Sequence, residues 1–237
     1  MARLPRLYIP GLPQHVVLRT PDGRAAFIDD ADRQRFLGCL RESVAQTRVA
    51  LHAYVLLDDS VRWLGTPPDA RAMSALVQAV GRRYVSYFNR RHGREGSLWE
   101  SRYRATVLEP ERYLLLCSRG IEAAAAERGL AAEAAAYRWS SHAHHVGLTV
   151  DPLVVDHALY WSLGNTPFER QRAYRDAAEQ PVDAAARHEI EQATEKGWAL
   201  ASEAFLARHG RQASRRAAPL PRGRRPGAAR RVSGDDA

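Results

Sequence analysis

Several features of other protein classes are rare or missing in this sequence. Its two cysteines, Cys39 and Cys117, lie far apart and fit no CxxC or zinc-type spacing. A disulfide or metal framework is therefore not expected, and both should be buried free thiols. No charge-poor apolar run approaches the ~18 residues that span a bilayer, and the first residues hold no apolar segment of signal-peptide length. We expect a chain that stays in the cytoplasm and has no membrane partner.

Lysine is almost absent, since Lys196 is the single example, and arginine carries the remaining positive charge. The formal net charge is +8. Residues 208–231 contain nine arginines and no acid, with Asp235 and Asp236 after them, which leaves +1 for residues 1–207. Arginine can hold phosphate through paired hydrogen bonds and can stack on bases. A GC-rich coding sequence would favour arginine too, so the bias alone assigns no partner.

An alternating order of strand and helix patterns is present. Strand patterns cover Gln14–Arg19, 49–57, 61–66 and 98–108. Helix patterns run from the capping residues Asp29 and Asp30 to about residue 46, from about 70 to 91, and onward from Pro110. The short turn at Asp58 and Asp59 should join two strands as an antiparallel hairpin. This order predicts an α+β fold, a ferredoxin-like split βαβ antiparallel sheet with helices on one face.

The chain divides into three expected regions. Residues 1–148 hold the sheet and its helices, and alanine-rich runs at 123–126 and 131–136 favour further helix. Residues 149–207 read as a helical extension, with helices over 157–175 and 184–205. Residues 208–237 form an arginine-rich tail whose stretch from 220 to 231 is too rich in Pro, Gly and Arg to fold alone. This stretch is similar to a short AT-hook-type DNA arm, although a solvated tail is the alternative.

Five segments of the sequence are distinctive. They are MARLPRLYIPGLPQHVVLR, LHAYVLL, GRRYVSYFNRRHGREGSLWESRYRATVLEPERYLL, the WSS of 139–141, and GWALASEAF near residue 205. Together they resemble the REP-associated tyrosine transposases, HUH-type enzymes that act on single-stranded hairpin DNA in bacteria. The resemblance covers most of residues 1–205. It implies a ferredoxin-like nuclease that nicks one DNA strand through a covalent phosphotyrosine, assisted by magnesium or manganese. It also implies a bacterial protein of the cytoplasm that associates with the nucleoid.

The family's metal-binding pair is replaced in this sequence. A His-hydrophobic-His pattern is expected in the strand after AYVLL, and Ser60 and Arg62 stand there around Val61. Residues two apart on a strand point to the same face, so the pair would supply two nitrogens to one metal. Serine is a poor ligand at neutral pH, and the cationic arginine would repel the ion. We therefore predict that the metal site is lost and that no metal cofactor is bound.

The expected nucleophile is replaced as well. RGIEAAAAERGL resembles the family's RYIELNPVRAGL, and an alignment without gaps puts the catalytic tyrosine on Gly120 and a metal-binding asparagine on Ala124. Neither residue has a side-chain atom for its role. Their neighbours Arg119, Ile121 and Glu122 still match. The chain is predicted to have no catalytic residue while keeping the scaffold around the site.

DNA binding is better supported than cleavage. Arginines lie along the second helix and just past it, and further arginines stand beside aromatic residues on the next strand. Such a mixture suits phosphate contacts and base stacking on single-stranded or unpaired DNA. A solvated arginine face is the alternative interpretation. The resemblance adds a REP-type hairpin with a single-stranded flank, read through the amino-terminal segment. The candidate DNA-binding residues are Arg3, Arg6, Arg82, Arg83, Arg90, Arg91, Arg94, Trp99, Arg102, Tyr103, Arg104, Arg222, Arg224 and Arg225.

Three functional hypotheses remain open from sequence. The first is a DNA-binding protein of the transposase family that no longer nicks, the second an active metal-dependent nicking transposase with substituted residues, and the third a decayed remnant without a partner. Substitutes for the second hypothesis are the tyrosines 84, 87, 103 and 113 as nucleophile and Asp58 and Asp59 as oxygen ligands. His142, His144 and His145 have a spacing that could bind metal, but we expect them to be surface histidines in a loop.

Overall fold

The structure is a computed structural model that describes residues 5–100 and 102–219. Four strands and eight α-helices alternate in this part of the chain. In order they are β1 (Gln14–Arg19), α1 (Asp30–Thr47), β2 (Ala50–Leu56), β3 (Ser60–Thr66), α2 (Ala72–His92), β4 (Arg104–Val107), α3 (Pro110–Glu127), α4 (His142–His145), α5 (Ala158–Trp161), α6 (Pro167–Ala178), α7 (Ala184–Lys196) and α8 (Glu203–His209).

The four strands form one antiparallel sheet in the order β2-β3-β1-β4. This is the strand order of the ferredoxin-like split βαβ unit, and the predicted fold class is confirmed. In the register of the sheet, Val17 of β1 lies opposite Arg62 of β3 on one side and Arg104 of β4 on the other. The hairpin predicted around Asp58 and Asp59 joins β2 to β3.

Local signals explain where the long helices begin and end. The Asp29 carboxylate accepts a hydrogen bond from the backbone N–H of Asp32 at 3.1 Å, which caps α1. Helix α2 ends at Gly93, whose φ of +59° lets its backbone N–H reach the carbonyl of Asn89. Pro110 opens α3 at a position where no backbone donor is needed. These starts and stops were readable in the sequence.

Each face of the sheet is covered by a different pair of helices. Helices α1 and α2 cover the first face, where the Trp63 indole N–H points at the Met73 sulfur at 3.5 Å and the Tyr84 hydroxyl donates to the carbonyl of Ala26 at 2.7 Å. Helices α3 and α7 cover the second face, where His15 of β1 meets Thr194 of α7 at 2.9 Å. The extension thus completes the face on which Arg62 lies.

Four sequence expectations are corrected by the fold. The strand predicted over 98–108 is paired only at Arg104–Val107, because Leu98 is buried in the core. Of the two alanine-rich runs, 123–126 lies in α3 as predicted, whereas 131–136 forms only a short 3-10 turn at Ala134–Ala136.

Both helices expected in the extension are split. In 157–175, Thr166 and Glu169 form a capping box that starts α6 afresh. In 184–205, α7 ends at Lys196 before Gly197, and α8 begins only at Glu203.

The start of the expected tail is also ordered. The backbone N–H of Ser214 donates to the carbonyl of Tyr8 at 2.8 Å, and the Arg215 side chain donates to the carbonyl of Pro5 at 2.7 Å. Ala217 is buried in a small apolar cluster with Leu7 and Phe205. Residues 208–219 therefore pack against the amino-terminal segment instead of beginning a disordered tail.

The thiols of Cys39 and Cys117 are both free and buried, as predicted. Within residues 5–100 and 102–219, no helix combines the length and apolar character needed to cross a bilayer.

Candidate functional site

A groove of about 650 Å³ runs between α2 and residues 97–100 and 102–103; we call it the α2 groove. It gathers five of the predicted DNA-binding residues: Arg6, Arg82, Trp99, Arg102 and Tyr103. Arg82 and Arg102 are exposed, and neither makes an ion pair with any residue that the structure describes. Glu100 is the one acidic residue among those lining the groove. The groove therefore presents unpaired guanidinium groups beside aromatic rings.

Tyr103 and Arg6 form the fixed end of the α2 groove. The Arg6 guanidinium lies over the Tyr103 ring, 4.0 Å from its centre, and donates a hydrogen bond to the Tyr103 carbonyl. The Tyr103 hydroxyl is 2.9 Å from the hydroxyl of Ser74 on α2. A cation held on a ring face is favourable and also limits the motion of both side chains. These two residues are positioned before any ligand arrives.

Other predicted DNA-binding arginines are engaged within the protein. Arg83 pairs with Glu42 on α1 at 3.3 Å. Arg104 pairs with Glu195 on α7 at 3.3 Å. These side chains brace one element against another, and the structure does not bring them to the groove.

Arg91, at the end of α2, is held more firmly still. It contacts Asp29 at 2.6 Å and the fully buried Asp32 at 2.5 Å, and these hydrogen bonds raise its pKa further above the ordinary value. Two neighbouring arginines, Arg90 and Arg94, make weaker contacts within the protein. Arg90 is exposed, with one long contact of 3.5 Å to Ser86, and Arg94 lies over the Phe88 ring at 5.5 Å.

Four candidate DNA-binding arginines, Arg3, Arg222, Arg224 and Arg225, lie outside the described residues, so they remain predictions from sequence.

A second concavity lies on the opposite face of the sheet, between β3 and α3; we call it the β3–α3 cavity. It has a volume of about 280 Å³ and is lined by Arg62, Gly120 and Ala124, three of the four positions aligned with the family's catalytic residues. Gly120 and Ala124 are four residues apart on α3 and share one helix face. Residues that are distant in sequence are thus brought together where the alignment placed the family's active site.

The fourth aligned position, Ser60, is buried just beyond the cavity. Its hydroxyl donates to the Asp59 carboxylate at 2.7 Å, and Asp59 also accepts from Arg128 at 2.6 Å. Burial alone would raise the Asp59 pKa, but the hydrogen bonds from Ser60 and Arg128 outweigh it and the pKa is lowered. Asp58 is exposed and pairs with Arg33 at 2.5 Å. Both aspartates already have cationic partners.

This donor set does not fit the divalent metal that the family resemblance implies. The four aligned positions carry a hydroxyl whose hydrogen is used by Asp59, a guanidinium, and two residues without polar side-chain atoms. Hard divalent ions require several free oxygen ligands. Within residues 5–100 and 102–219, no three histidine, cysteine, aspartate or glutamate side chains are grouped to hold a metal ion.

None of the described tyrosines lines the β3–α3 cavity. Tyr84 is buried in the core, and burial raises its pKa well above the ordinary value. Tyr113 donates to Glu189 at 3.0 Å, and burial together with this bond raises its pKa to about 12. Tyr87 stays beside Arg91 at 3.2 Å, while Tyr103 belongs to the α2 groove. Among the described residues, the geometry offers no substitute tyrosine at the cavity.

The expectation of surface histidines is wrong for two of the three. His142 and His145 are buried in the short helix α4, and both contact the fully buried Glu122 of α3, at 3.3 Å and 2.6 Å. The Tyr174 hydroxyl of α6 donates to the same carboxylate at 2.9 Å. His144 instead contacts Asp156 at 3.2 Å. The contacts with Glu122 explain why His142 and His145 are buried, and no local sequence pattern indicated these contacts.

Charges set the ionisation of this buried group, which we call the Glu122 cluster. Burial alone would raise the pKa of Glu122, but His145 and the hydrogen bonds from His142, His145 and Ser141 hold it well below its usual range. Burial alone would lower the pKa of His145, but the Glu122 carboxylate raises it overall. The cluster joins α3 to α4 and α6 and serves as an internal ion pair.

Sequence reasoning missed several residues of the β3–α3 cavity. His15 of β1 lines the cavity. The one sequence signal for this was that His15, Val17 and Arg19 alternate along the strand and therefore lie on the same face of the sheet. Val182, Arg187 and Glu191 come from the extension, and no local pattern places them against the sheet. The sequence predicts an extension separate from the catalytic positions, whereas in the structure the extension forms one wall of the cavity.

Comparisons with known proteins bear on the fold. No protein-family model matches the chain, and no curated protein matches it. A solved REP-associated tyrosine transposase, bound to a REP hairpin, superposes with a TM-score of 0.55 and 13% identity over 66% of this chain and 92% of the other. A Deinococcus radiodurans protein assigned as a transposase matches 48% of this chain and 92% of its own at 26% identity. Its TM-score of 0.35 is too low to support an argument.

Proposed function

We propose that this protein, which has the fold of a REP-associated tyrosine transposase, is a DNA-binding member of that family that recognises single-stranded or hairpin DNA and does not nick it. The observation that carries the proposal is the α2 groove. It combines the exposed Arg82 and Arg102 with the Arg6–Tyr103 pair and the half-buried Trp99. Guanidinium groups track phosphates, and aromatic faces stack on unpaired bases without requiring one sequence.

The shape of the groove supports an unpaired or flanking strand as the ligand. Trp99 is half-buried, and its indole N–H has no hydrogen-bond partner among the described residues. Gly81 of α2 lines the same groove, and a Cβ there would meet no atom within 4 Å, so the floor is open. A solved protein of this fold is bound to a REP hairpin. By this likeness we infer a hairpin with a single-stranded flank for the present chain.

The loss of nicking is inferred from the β3–α3 cavity. The positions that the family resemblance assigns to the metal and the nucleophile carry Ser60, Arg62, Gly120 and Ala124. A glycine has no atom to attack phosphorus, and an arginine repels a divalent cation. Since no tyrosine of the described chain lines the cavity, we infer that binding is kept without cleavage.

The test uses the purified full chain, a labelled REP-like hairpin with a single-stranded flank, and magnesium or manganese. A native gel should show a shift, while a denaturing gel should show neither cleavage nor a covalent adduct. The double variant Arg82→Gln and Arg102→Gln should bind about tenfold or more weakly, with a salt slope lower by about two. Arg41→Gln, an exposed arginine of α1 outside the groove, is the matched control.

Two results would overturn the proposal. A covalent adduct that disappears on replacing one tyrosine would support the second hypothesis, an active enzyme with a relocated nucleophile. The absence of any shift at low salt, with the protein folded, would support the third hypothesis, a remnant without a DNA partner.

A further inference from the structure

The β3–α3 cavity contains a half-buried cation that forms no ion pair with any described residue. Arg62 projects from β3 under α3, and burial is the largest of the effects that lower its pKa. Its Nε atom is inaccessible to solvent and has no hydrogen-bond partner. Among the described residues, none forms an ion pair with Arg62. Leaving a desolvated cation unpaired is costly, because the lost hydration is not replaced.

The other two arginines that line the cavity are already paired with acidic side chains. Arg128 is paired with Asp59 at 2.6 Å, and Arg187 is paired with Glu127 at 2.6 Å. Glu191 also lines the cavity and, like Asp59, acts to raise the Arg62 pKa, but it is exposed and makes no ion pair with Arg62. The remaining positive charge therefore belongs to Arg62.

Next to Arg62, His15 presents an unused acceptor. The Thr194 hydroxyl donates its single hydrogen to the carbonyl of Ile190 at 2.7 Å, so its oxygen must accept from His15 Nδ1 at 2.9 Å. Burial and the nearby Arg62 lower the pKa of His15 to about 3, so the ring is neutral. Its Nε2 atom then carries a lone pair, and this buried atom has no partner.

The rest of the cavity is small and partly apolar. Ile121, Val182 and Ile190 form apolar walls, and Gly120 leaves its side of α3 open, since a Cβ there would meet only the Val182 methyl at 4.0 Å. A volume of about 280 Å³ holds a tetrahedral oxyanion but not a folded segment of nucleic acid.

We propose that the β3–α3 cavity is a binding site for one protonated phosphate group, with Arg62 donating to its oxygens and His15 Nε2 accepting from its hydroxyl. A cation and an acceptor side by side fit a group that carries both negative charge and an O–H. Inorganic phosphate and a terminal phosphomonoester of DNA share this chemistry, whereas sulfate at neutral pH has no hydrogen to donate. The site is separate from the α2 groove, and only the DNA source rests on the proposed function.

The experiment is calorimetric titration of the full chain with inorganic phosphate and, separately, with sulfate, at about pH 7 and low chloride. Phosphate should bind more tightly than sulfate. Arg62→Gln should weaken phosphate binding by about tenfold or more, the worth of a charge-assisted hydrogen bond. It should leave folding intact, because it removes a half-buried charge that has no ion-pair partner. Ala124→Leu, which fills the cavity while keeping Arg62, should weaken binding too, and Arg41→Gln, an exposed arginine of α1 outside both the cavity and the α2 groove, should not.

Oligonucleotides with and without a 5′-phosphate distinguish the two sources. Tighter binding of the phosphorylated strand, lost in Arg62→Gln, would assign the site to a DNA terminus. Equal binding of both strands, with phosphate itself still bound, would assign it to a free phosphate. No binding of phosphate, or binding unchanged in Arg62→Gln, would overturn the site, and equal affinity for sulfate would overturn the role of His15. Since the titrations with inorganic phosphate contain no DNA, failure of the groove proposal is recognised separately.

Discussion

Arg82 and Arg83 show how neighbouring residues of the same type acquire different roles. Successive residues of a helix point about 100° apart, so the two guanidinium groups leave α2 in different directions. Arg83 meets Glu42, and also Gln46 at 3.0 Å, on α1, whereas Arg82 faces the α2 groove. The composition of the helix predicted a basic face, but the partners on α1 decide which of its arginines remain available for DNA.

Gly120 allows a prediction about stability at the scale of one residue. It lies inside α3, where glycine costs about 0.5–1 kcal/mol relative to alanine. A Cβ would meet only the Val182 methyl, at an ordinary contact distance of 4.0 Å. Gly120→Ala should therefore raise the free energy of unfolding by about 0.5–1 kcal/mol, measured by urea denaturation.

Gly38 of α1 is the matched control for Gly120, because a Cβ there would meet nothing within 4 Å. Gly38→Ala should stabilise the protein to a similar extent. A gain at Gly38 with a loss at Gly120 would mean that the Val182 wall lies closer to α3 than the structure places it.

At the scale of elements, local sequence patterns predicted those strand and helix bounds that local interactions determine. The bounds of β1, α1, the β2–β3 hairpin and α2 follow from alternation, capping residues and Gly93, all within a few residues of each element end. The sequence predicted that the fourth strand begins at residue 98, because the β-branched and aromatic content of this stretch suits a strand. In the structure Leu98 is buried in the core, and only Arg104–Val107 pairs with the sheet. The cavity positions could be aligned, but the wall from the extension depends on tertiary packing alone.

The Glu122 cluster predicts a pH dependence in the docking of α4 and α6 on α3. The pKa of His145 is raised above its ordinary 6.5, so its stabilisation is present below that pH and is lost as the pH rises through the raised value. The pKa of Glu122 is lowered from its ordinary 4.5, so its contribution is present above that pH and is lost on acidification. Both contributions are therefore fully present between the two ordinary pKa values, 4.5 for Glu122 and 6.5 for His145.

His145→Gln should reveal this dependence directly. Breaking a buried ion pair typically costs about 3 kcal/mol or more, so the variant should lose that much unfolding free energy at about pH 6 and less at about pH 9. His188→Gln, an exposed histidine of α7, should change stability little at either pH. A His145→Gln deficit that is constant across the range would show that His145 acts through packing and not through charge.

At the scale of the whole molecule, the two ends of the described chain meet at the α2 groove. The Ser214 hydroxyl donates to the carbonyl of Arg6 at 3.0 Å, and Arg215 donates to the carbonyl of Pro5. These contacts fix the segment that holds Arg6 over Tyr103. The carboxyl-terminal residues thus complete the candidate DNA surface, a role that composition alone did not indicate.

The fold also predicts that the nicking activity, which we propose this protein lacks, can be installed. Arg62, Gly120 and Ala124 line one cavity, so β3 and α3 keep the relative placement that a strand metal pair and a helix nucleophile require. The variant with Ser60→His, Arg62→His, Gly120→Tyr and Ala124→Asn restores all four residues that the family resemblance assigns, and the cavity gives the new ring room. We expect manganese-dependent nicking of a REP-like hairpin with a covalent adduct that survives denaturation.

The matched control for this variant carries Gly120→Phe in place of Gly120→Tyr. It has the same ring and the same metal-binding residues without the hydroxyl, so it should bind the hairpin and form no adduct. An adduct in the tyrosine variant alone would mean that four side chains separate this protein from a nicking enzyme. If the folded tyrosine variant bound the hairpin and still left it intact, the loss would extend beyond the cavity, because the scaffold would no longer hold a DNA strand over the restored residues.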